Sequence, residues 1–307
     1  MNFYEAARFQ YSAARLMVKL AQFRQTGRFV KKITNKSNFN ILLKSQTDGS
    51  FNINVEEPEQ EASKDNFIDI SIADLIAYVS ERVIEKIDEG ARASVPGSLA
   101  SLLPTSALGG DESVLDKLAQ AAIADDNFVA TLPWQVQDLV KRRVSEFYRE
   151  QRMLEKKDAL AKIDFARSQK LIAMSAPLLS DMATALRRSA DTLEVTSSKS
   201  GTSRPLLFLD QDMAQEIETA IVDDEITPIL GDITQFNKDN GWGKLKIEDG
   251  TKTVSFSIPS DILPTMKQIL IDNMKRDLVY LQVYFVRDRS GEIVRMIPVG
   301  IIPTPTR

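Results

Sequence analysis

From Phe3 onward, apolar residues recur every three or four positions in two parallel series. One is Phe3, Ala6, Phe9, Ala13, Leu16, Leu20 and Phe23; beside it run Tyr4, Ala7, Tyr11, Ala14 and Val18. Glu5, Arg8, Ser12, Arg15, Lys19 and Gln22 form the polar stripe that remains. The spacing predicts a helix to about Gln25, with Asn2 as N-cap, Glu5 as its reciprocal partner and Gly27 as a left-handed stop. A helix so widely apolar has to be largely buried. The period then shortens to two. Phe39, Ile41 and Leu43, then Phe51, Ile53 and Val55, predict two strands joined by a turn at Asp48-Gly49.

An acidic, Pro-containing linker (56–65, EEPEQEASKD) precedes a second amphipathic helix, Ile70 to Glu89, with Ile72, Leu75, Ile76, Val79, Val83 and Ile87 on one face. Residues 90–111, rich in Gly, Ser, Pro and Ala, are expected to be a mobile loop. Leu115, Leu118, Ala119 and Ala122 mark a further helix. Pro133 opens a long one to about Lys157, with Val136, Val140, Val144, Phe147 and Leu154 inside and Lys141-Arg142-Arg143 on its solvated face.

From Thr192 the pattern turns to strands. Thr192–Thr196 and Pro205–Leu209 flank a Ser/Gly-rich turn, and a short helix is expected at Gln211–Thr219. Five strands follow: Ile226–Phe236, Trp242–Ile247, Thr253–Ile258, Val279–Val286 and Ile293–Ile302. A helix at Asp261–Lys275 falls between the third and fourth. Three strands, a helix and two strands is the element order of an OB-fold. The expected class is therefore α+β. It comprises a helix-plus-hairpin unit (1–57), a helical region (66–190), a hairpin-and-helix connector (191–224) and a five-stranded OB-like barrel (225–307).

Composition narrows the chemistry. The 307 residues include no cysteine and no histidine, which excludes disulfides, thiol nucleophiles, zinc fingers, Ser-His-Asp triads and His-based metal sites. Carboxylate–magnesium chemistry, lysine chemistry or no chemistry at all remains, and no cofactor is expected. Met1 leads into a charged amphipathic segment rather than a leader peptide, and no apolar run approaches the roughly 20 residues of a membrane helix. A cytoplasmic protein with no membrane contact is expected. The formal net charge is −4. Residues 1–55 carry nine Lys/Arg against Glu5 and Asp48, a balance of +7, which leaves −11 for the rest. Arg8, Arg15, Lys19, Arg24, Arg28, Lys31 and Lys32 form the candidate anion- or partner-binding stripe of that basic end.

The segment ITQFNKDNGWGKLKI, Ile233 to Ile247, resembles the first turn and second strand of cold-shock and related OB-type domains, which share an aromatic-Asn-x-x-x-Gly-aromatic-Gly turn. In that second strand Leu245 and Ile247 should face inward, while Trp242, Lys244 and Lys246 alternate onto the outer face. The resemblance implies a platform for single-stranded nucleic acid, made of Phe236, Lys238, Trp242, Lys244, Lys246 and Lys252, through base stacking and phosphate neutralisation. Two departures stand against it. Ser255 and Ser257 occupy the third strand where cold-shock domains place aromatics, and residues 228–307 carry eleven cations against nine anions. A structural role for Trp242 at the barrel rim, with the glycines serving a tight turn, is the competing reading.

Catalytic groupings are sparse. Asp210-Gln-Asp212 stands where a strand enters a helix, so a capping role is expected. Asp223-Asp224-Glu225 is the other acidic cluster, and Glu155-Lys156-Lys157 fits a nuclease Glu-x-Lys but on a helix. No phosphate-binding glycine loop occurs. The opening FYEAARFQYSAARL...FRQTG, the GSFNINV hairpin and the ending WGKLKI...VSFSIP...VYFVRDRSGEIVRMIPVGI together look like a bacterial family of unassigned function. That resemblance implies an accessory protein, of a kind found in anti-phage defence loci. The expectation is a non-enzymatic binding and assembly protein, homo-oligomeric through its N-terminal unit, whose barrel meets nucleic acid or a protein partner. A metal-dependent nuclease or nucleotide hydrolase is the alternative.

Overall fold

The computed structural model describes residues 3–29, 32–33, 42–47, 51–56, 66–86, 114–125, 127–187, 190–199, 202–219, 221–223, 225–248, 252–275 and 278–302. The elements run α1 (Phe3–Thr26), β1 (Leu42–Thr47), β2 (Phe51–Glu56), α2 (Ile72–Val83), α3 (Val114–Ala124), α4 (Phe128–Thr131), α5 (Trp134–Glu155), α6 (Lys157–Leu160) and α7 (Phe165–Ala183). Then come β3 (Thr192–Lys199), β4 (Thr202–Asp210), α8 (Gln211–Thr219), β5 (Ile221–Val222), β6 (Thr227–Phe236), β7 (Trp242–Ile247), β8 (Thr253–Ser257), α9 (Leu263–Asn273), β9 (Val279–Arg287) and β10 (Ile293–Ile302). The α+β class holds.

The first apolar series of α1 enters the core: Phe9, Leu20 and Phe23 are fully buried among residues of α2 and α7. Gly27 stops the helix as expected, with φ at 64° and its N–H bonded to the Phe23 carbonyl at 2.8 Å. A Cβ there would stand 2.9 Å from the Phe67 ring, and that ring in turn meets Phe23 edge-on at 5.7 Å. Asn2, Phe39, Ile41, the Asp48-Gly49 turn, most of the 56–65 linker and the loop at 90–111 lie outside the described residues.

The early hairpin does not stand alone. β1 and β2 pair antiparallel, β2 then pairs parallel with β3, and β3 pairs antiparallel with β4, giving one sheet in the order β1-β2-β3-β4. Ile53 lies opposite Val195, so a hairpin near the start is completed by strands from beyond the helical region. Pairing satisfies the backbone edge of β2 that would otherwise invite association.

Two expectations of the helical region need correction. α2 ends at Val83 rather than near Glu89, because Ile84 turns extended (φ −97°, ψ 131°). The next two residues leave the helix to bond the barrel, as described below; Ile87 and its successors lie outside the described residues. In α5, Val136 and Val140 are buried as expected, but Leu154 is exposed. Nor is the Lys141-Arg142-Arg143 run a solvated face: Arg143 is buried against Asp116, Glu146 and Glu150 at 2.6, 3.0 and 3.2 Å. α7, which runs through Pro177, had no counterpart among the expected elements.

The C-terminal barrel follows the sequence closely. Its order is β6-β7-β8-β10-β9, and β9 also pairs with β6, which closes the ring. β6 is long enough to pair β9 with its first half and β7 with its second. β8 and β10 run parallel, a crossover made possible by α9. Leu245, Val254, Phe256, Leu281 and Met296 fill the interior. Tyr284, Val286 and Ile297, on the outside of β9 and β10, belong instead to the main core, so the barrel is seated on the helical body.

Candidate functional site

In OB-folds, ligands commonly lie across the second and third strands; here these are β7 and β8. Leu245 points into the barrel and Trp242, Lys244 and Lys246 alternate to the other side, as expected from the alternation. Trp242, however, is only 1% exposed, one of the largest fully buried side chains among the described residues. Its backbone N–H is held by Asn240 Oδ1 at 2.9 Å, and Lys244 Nζ lies 5.2 Å from its ring centre. A base therefore has no face of Trp242 on which to stack. Phe236 is half-buried and stacks on Phe256 at 6.3 Å, turned to the barrel core. Lys238, Lys246 and Lys252 are exposed, and Lys252 pairs with Glu292 at 3.2 Å. The structure thus separates the expected platform into buried aromatics and scattered surface cations.

The tight turn that positions Trp242 has the glycines it needs. Gly241 adopts φ 78°, and a Cβ on it would lie 2.9 Å from the Ile258 carbonyl. Gly243 admits no side chain, since a Cβ would stand 2.6 Å from the Gln235 carbonyl and collide with the Phe256 ring.

What covers this side of the barrel is the end of α2. Arg295 of β10 donates to the Val83 carbonyl at 2.8 Å, and Ser255 of β8 donates to Glu85 Oε1 at 2.7 Å. Lys86 Nζ donates to the Asn240 carbonyl at 2.7 Å and to Ser260 Oγ at 2.9 Å, and Ser260 in turn donates to Glu81 at 3.2 Å. Arg82 donates to Asp261 at 2.7 Å and stacks on Tyr78, 3.6 Å from its ring centre. From α5, Arg142 reaches the Glu85 carbonyl at 3.0 Å, and Glu150 lies 3.7 Å from Lys86. None of these residues was expected from the sequence to join helix to barrel; Val83, Arg142 and Ser255 were read there in other roles. The sequence signal is the polar run Ser80-Glu81-Arg82 near the end of a helix whose packed face is mostly apolar.

Burial sets the protonation behaviour of this seam. Burial is the strongest single influence on Arg82 and works against its charge, but Asp261, Tyr78 and Glu81 together outweigh it and raise the guanidinium pKa. Arg143 behaves likewise, raised by Glu150, Glu146 and Asp116 against burial. For Arg295 burial prevails, despite Glu85 and Glu216, and its pKa is lowered. Burial raises the Glu150 carboxyl against the pull of Lys86 and Arg143.

The N-terminal basic stripe is not one surface. Lys19 and Arg24 are buried, and burial followed by Arg15 lowers the Lys19 pKa. Arg8 pairs with Asp181 of α7 at 2.5 Å, and Arg15 lies 5.3 Å from the Tyr11 ring centre. Arg28 and Lys32 are exposed; Lys31 lies outside the described residues. Most of the second apolar series of α1 is left open: Tyr4, Ala7, Tyr11 and Ala14 are exposed, while Val18, its last member, is buried and Phe3, of the first series, is exposed.

One member of each acidic grouping has a structural partner, and Asp224 lies outside the described residues. Asp210 Oδ1 accepts the Met213 N–H at 2.8 Å, capping α8 as expected. Asp223 takes Arg287 at 2.9 Å, and Glu155 lies on α5 and accepts from Gln151 at 2.7 Å. Among the described residues no three acidic side chains gather as ligands for a metal ion, and no helix is long and apolar enough to cross a membrane. No family model, curated protein or solved structure matches the chain.

Proposed function

We propose that this chain is a non-enzymatic binding and assembly protein that self-associates through the exposed face of α1, with the barrel as a module seated on the helical body. The observation that carries the reading is Tyr11, 64% exposed in the middle of a helix whose opposite side is fully buried, with Phe3 and Tyr4 more exposed still. Exposed aromatics grouped on one face favour association, because covering them removes apolar area from water. The barrel supports the same reading: the side that OB-folds commonly offer to a ligand is engaged by Glu85 and Lys86. Lys238, Lys246 and Lys252 support the competing contact with single-stranded nucleic acid, and the buried Trp242 weighs against it.

Size-exclusion chromatography with light scattering tests the proposal, with a mass above the 34.3 kDa of one chain expected. The same preparation is assayed with magnesium or manganese for nuclease and nucleotide hydrolysis. Turnover that is lost in Asp210→Ala or Asp212→Ala would replace the assembly reading with the enzymatic one.

A further inference from the structure

The strand register sets a polar row on the outer wall of the barrel. Lys244 of β7 lies opposite Ser255 of β8, and Ser255 lies beside Arg295 of β10. Their neighbours Leu245, Val254, Phe256 and Met296 fill the interior, so the period of two puts all three on the outer side. A hydroxyl thus stands between two cations across three strands. The anion that meets this row is the chain's own: Glu85 Oε1 accepts from Ser255 at 2.7 Å.

Glu85 is a poor match for the row. Its other oxygen stops 3.9 Å from Arg295 Nε, beyond hydrogen-bonding distance. Arg295 spends Nη2 on the Val83 carbonyl, while its Nη1 is buried without a hydrogen-bond partner among the described residues. Leaving a buried guanidinium donor unmet is costly. A carboxylate holds its two oxygens in one plane, whereas a phosphate group spreads its oxygens over a tetrahedron and carries more charge, which suits a hydroxyl flanked by cations.

Glu85 is also placed to yield. It lies beyond Val83, the last helical residue of α2, and 25% of its side chain is exposed. Ile84 and Lys86 on either side are buried, and Arg142 holds the Glu85 carbonyl at 3.0 Å, so the backbone is anchored while the carboxylate stands at the rim. The charges that Arg295 feels are those of Glu85, Glu216 and Arg142. With the Glu85 carboxylate turned to solvent, Arg142, Lys244 and Arg295 are left against Glu216.

We propose that Lys244, Ser255 and Arg295 form a binding site for a phosphate group, for which Glu85 is the built-in competitor. Phosphate enters only by displacing the Glu85 carboxylate from Ser255. The site is separate from α1 and does not depend on self-association.

Inorganic phosphate is the first probe, titrated by calorimetry. Glu85→Gln keeps an acceptor for Ser255 but removes the competing charge, and it should bind phosphate about tenfold more tightly than the wild type. Adding Ser255→Ala or Lys244→Ala to that variant should cancel the gain. A short oligothymidylate is the second probe. A parallel gain for it, cancelled by the same two changes, assigns the phosphate to a nucleic-acid backbone; a gain for inorganic phosphate alone assigns a free phosphate. Equal affinities of wild type and Glu85→Gln for both probes, or no binding by either protein, would overturn the site, provided the two have the same thermal midpoint. A gain that survives both Ser255→Ala and Lys244→Ala would overturn it too, because it would then follow net charge rather than the row. If Glu85→Gln folds poorly, Glu85→Asp, which draws the carboxylate back from Ser255, carries the same comparison with a smaller expected gain. A wild-type mass of 34.3 kDa in light scattering would overturn the assembly reading and leave this site standing.

Discussion

Arg82 of α2 donates a 2.7 Å hydrogen bond to Asp261, which lies 179 positions later beside the barrel, and both side chains are buried. The pair ties the end of a helix to the β8–α9 connection. Removing one member of a buried pair leaves the other charged and unsolvated. Arg82→Met should therefore destabilise the fold by about 3–5 kcal/mol in urea titration. Adding Asp261→Leu to that variant should recover much of the loss, since no charge is then left without a partner. If the double variant is no more stable than Arg82→Met, the pair is not what joins barrel to helix.

Trp242 gives a contrast between folding and binding. Truncating a fully buried Trp leaves a cavity, so Trp242→Ala should cost about 3–5 kcal/mol of stability. Under conditions where the variant remains folded, affinity for single-stranded DNA or RNA should not change specifically. Lys246→Ala and Lys238→Ala are the variants that would lower any such affinity and its salt dependence, because each neutralised phosphate releases counterions. A selective loss of binding in folded Trp242→Ala protein would return the ring to the role of a stacking platform.

Gly243 should tolerate nothing larger. Gly243→Ala forces a methyl group against the Gln235 carbonyl and the Phe256 ring in the barrel interior. Overpacking of this kind costs about 1–3 kcal/mol. The loss should appear as a lower urea midpoint, whereas Gly291→Ala, which has open space around it but φ of 86°, would report backbone strain alone.

Acid should act unusually on Glu194. Burial raises its carboxyl pKa, with Lys141 pulling in the opposite direction. A folded value above the unfolded one means that protonation favours folding. That contribution is fully present below the ordinary glutamate range and is lost as pH rises through the folded value. Glu194→Gln should therefore raise the thermal midpoint near neutral pH by about 1–3 °C and reduce the benefit the wild type gains from mild acid. An unchanged midpoint at pH 7 would show that the carboxyl is already well hydrated.

Legibility along the chain followed the range of the forces involved. The five barrel strands and α8 were read to within a residue or two because their signals are local: alternation, turn glycines, and an acid that caps the next helix. α2 was read six residues too long, since Glu85 and Lys86 leave the helix for partners in the barrel that no local pattern announces. Arg142 and Arg143 looked like a solvated run for the same reason. Their carboxylates come partly from α3 and their backbone acceptor from beyond α2.

The sequence by itself determined most of the elements though not α7, together with the two apolar series of α1 and the strand and helix order of the barrel, since backbone sterics and hydrophobic period act over a few residues. The tertiary structure alone decided that β3 would complete the sheet begun by β2, that Trp242 would be covered, and which series of α1 would stay open. Each of those outcomes depends on contacts between segments more than a hundred residues apart, or on competition between two chemically similar faces for one core. Burial goes to the face that closes with the least wasted volume, and that is a property of the assembled body rather than of the helix.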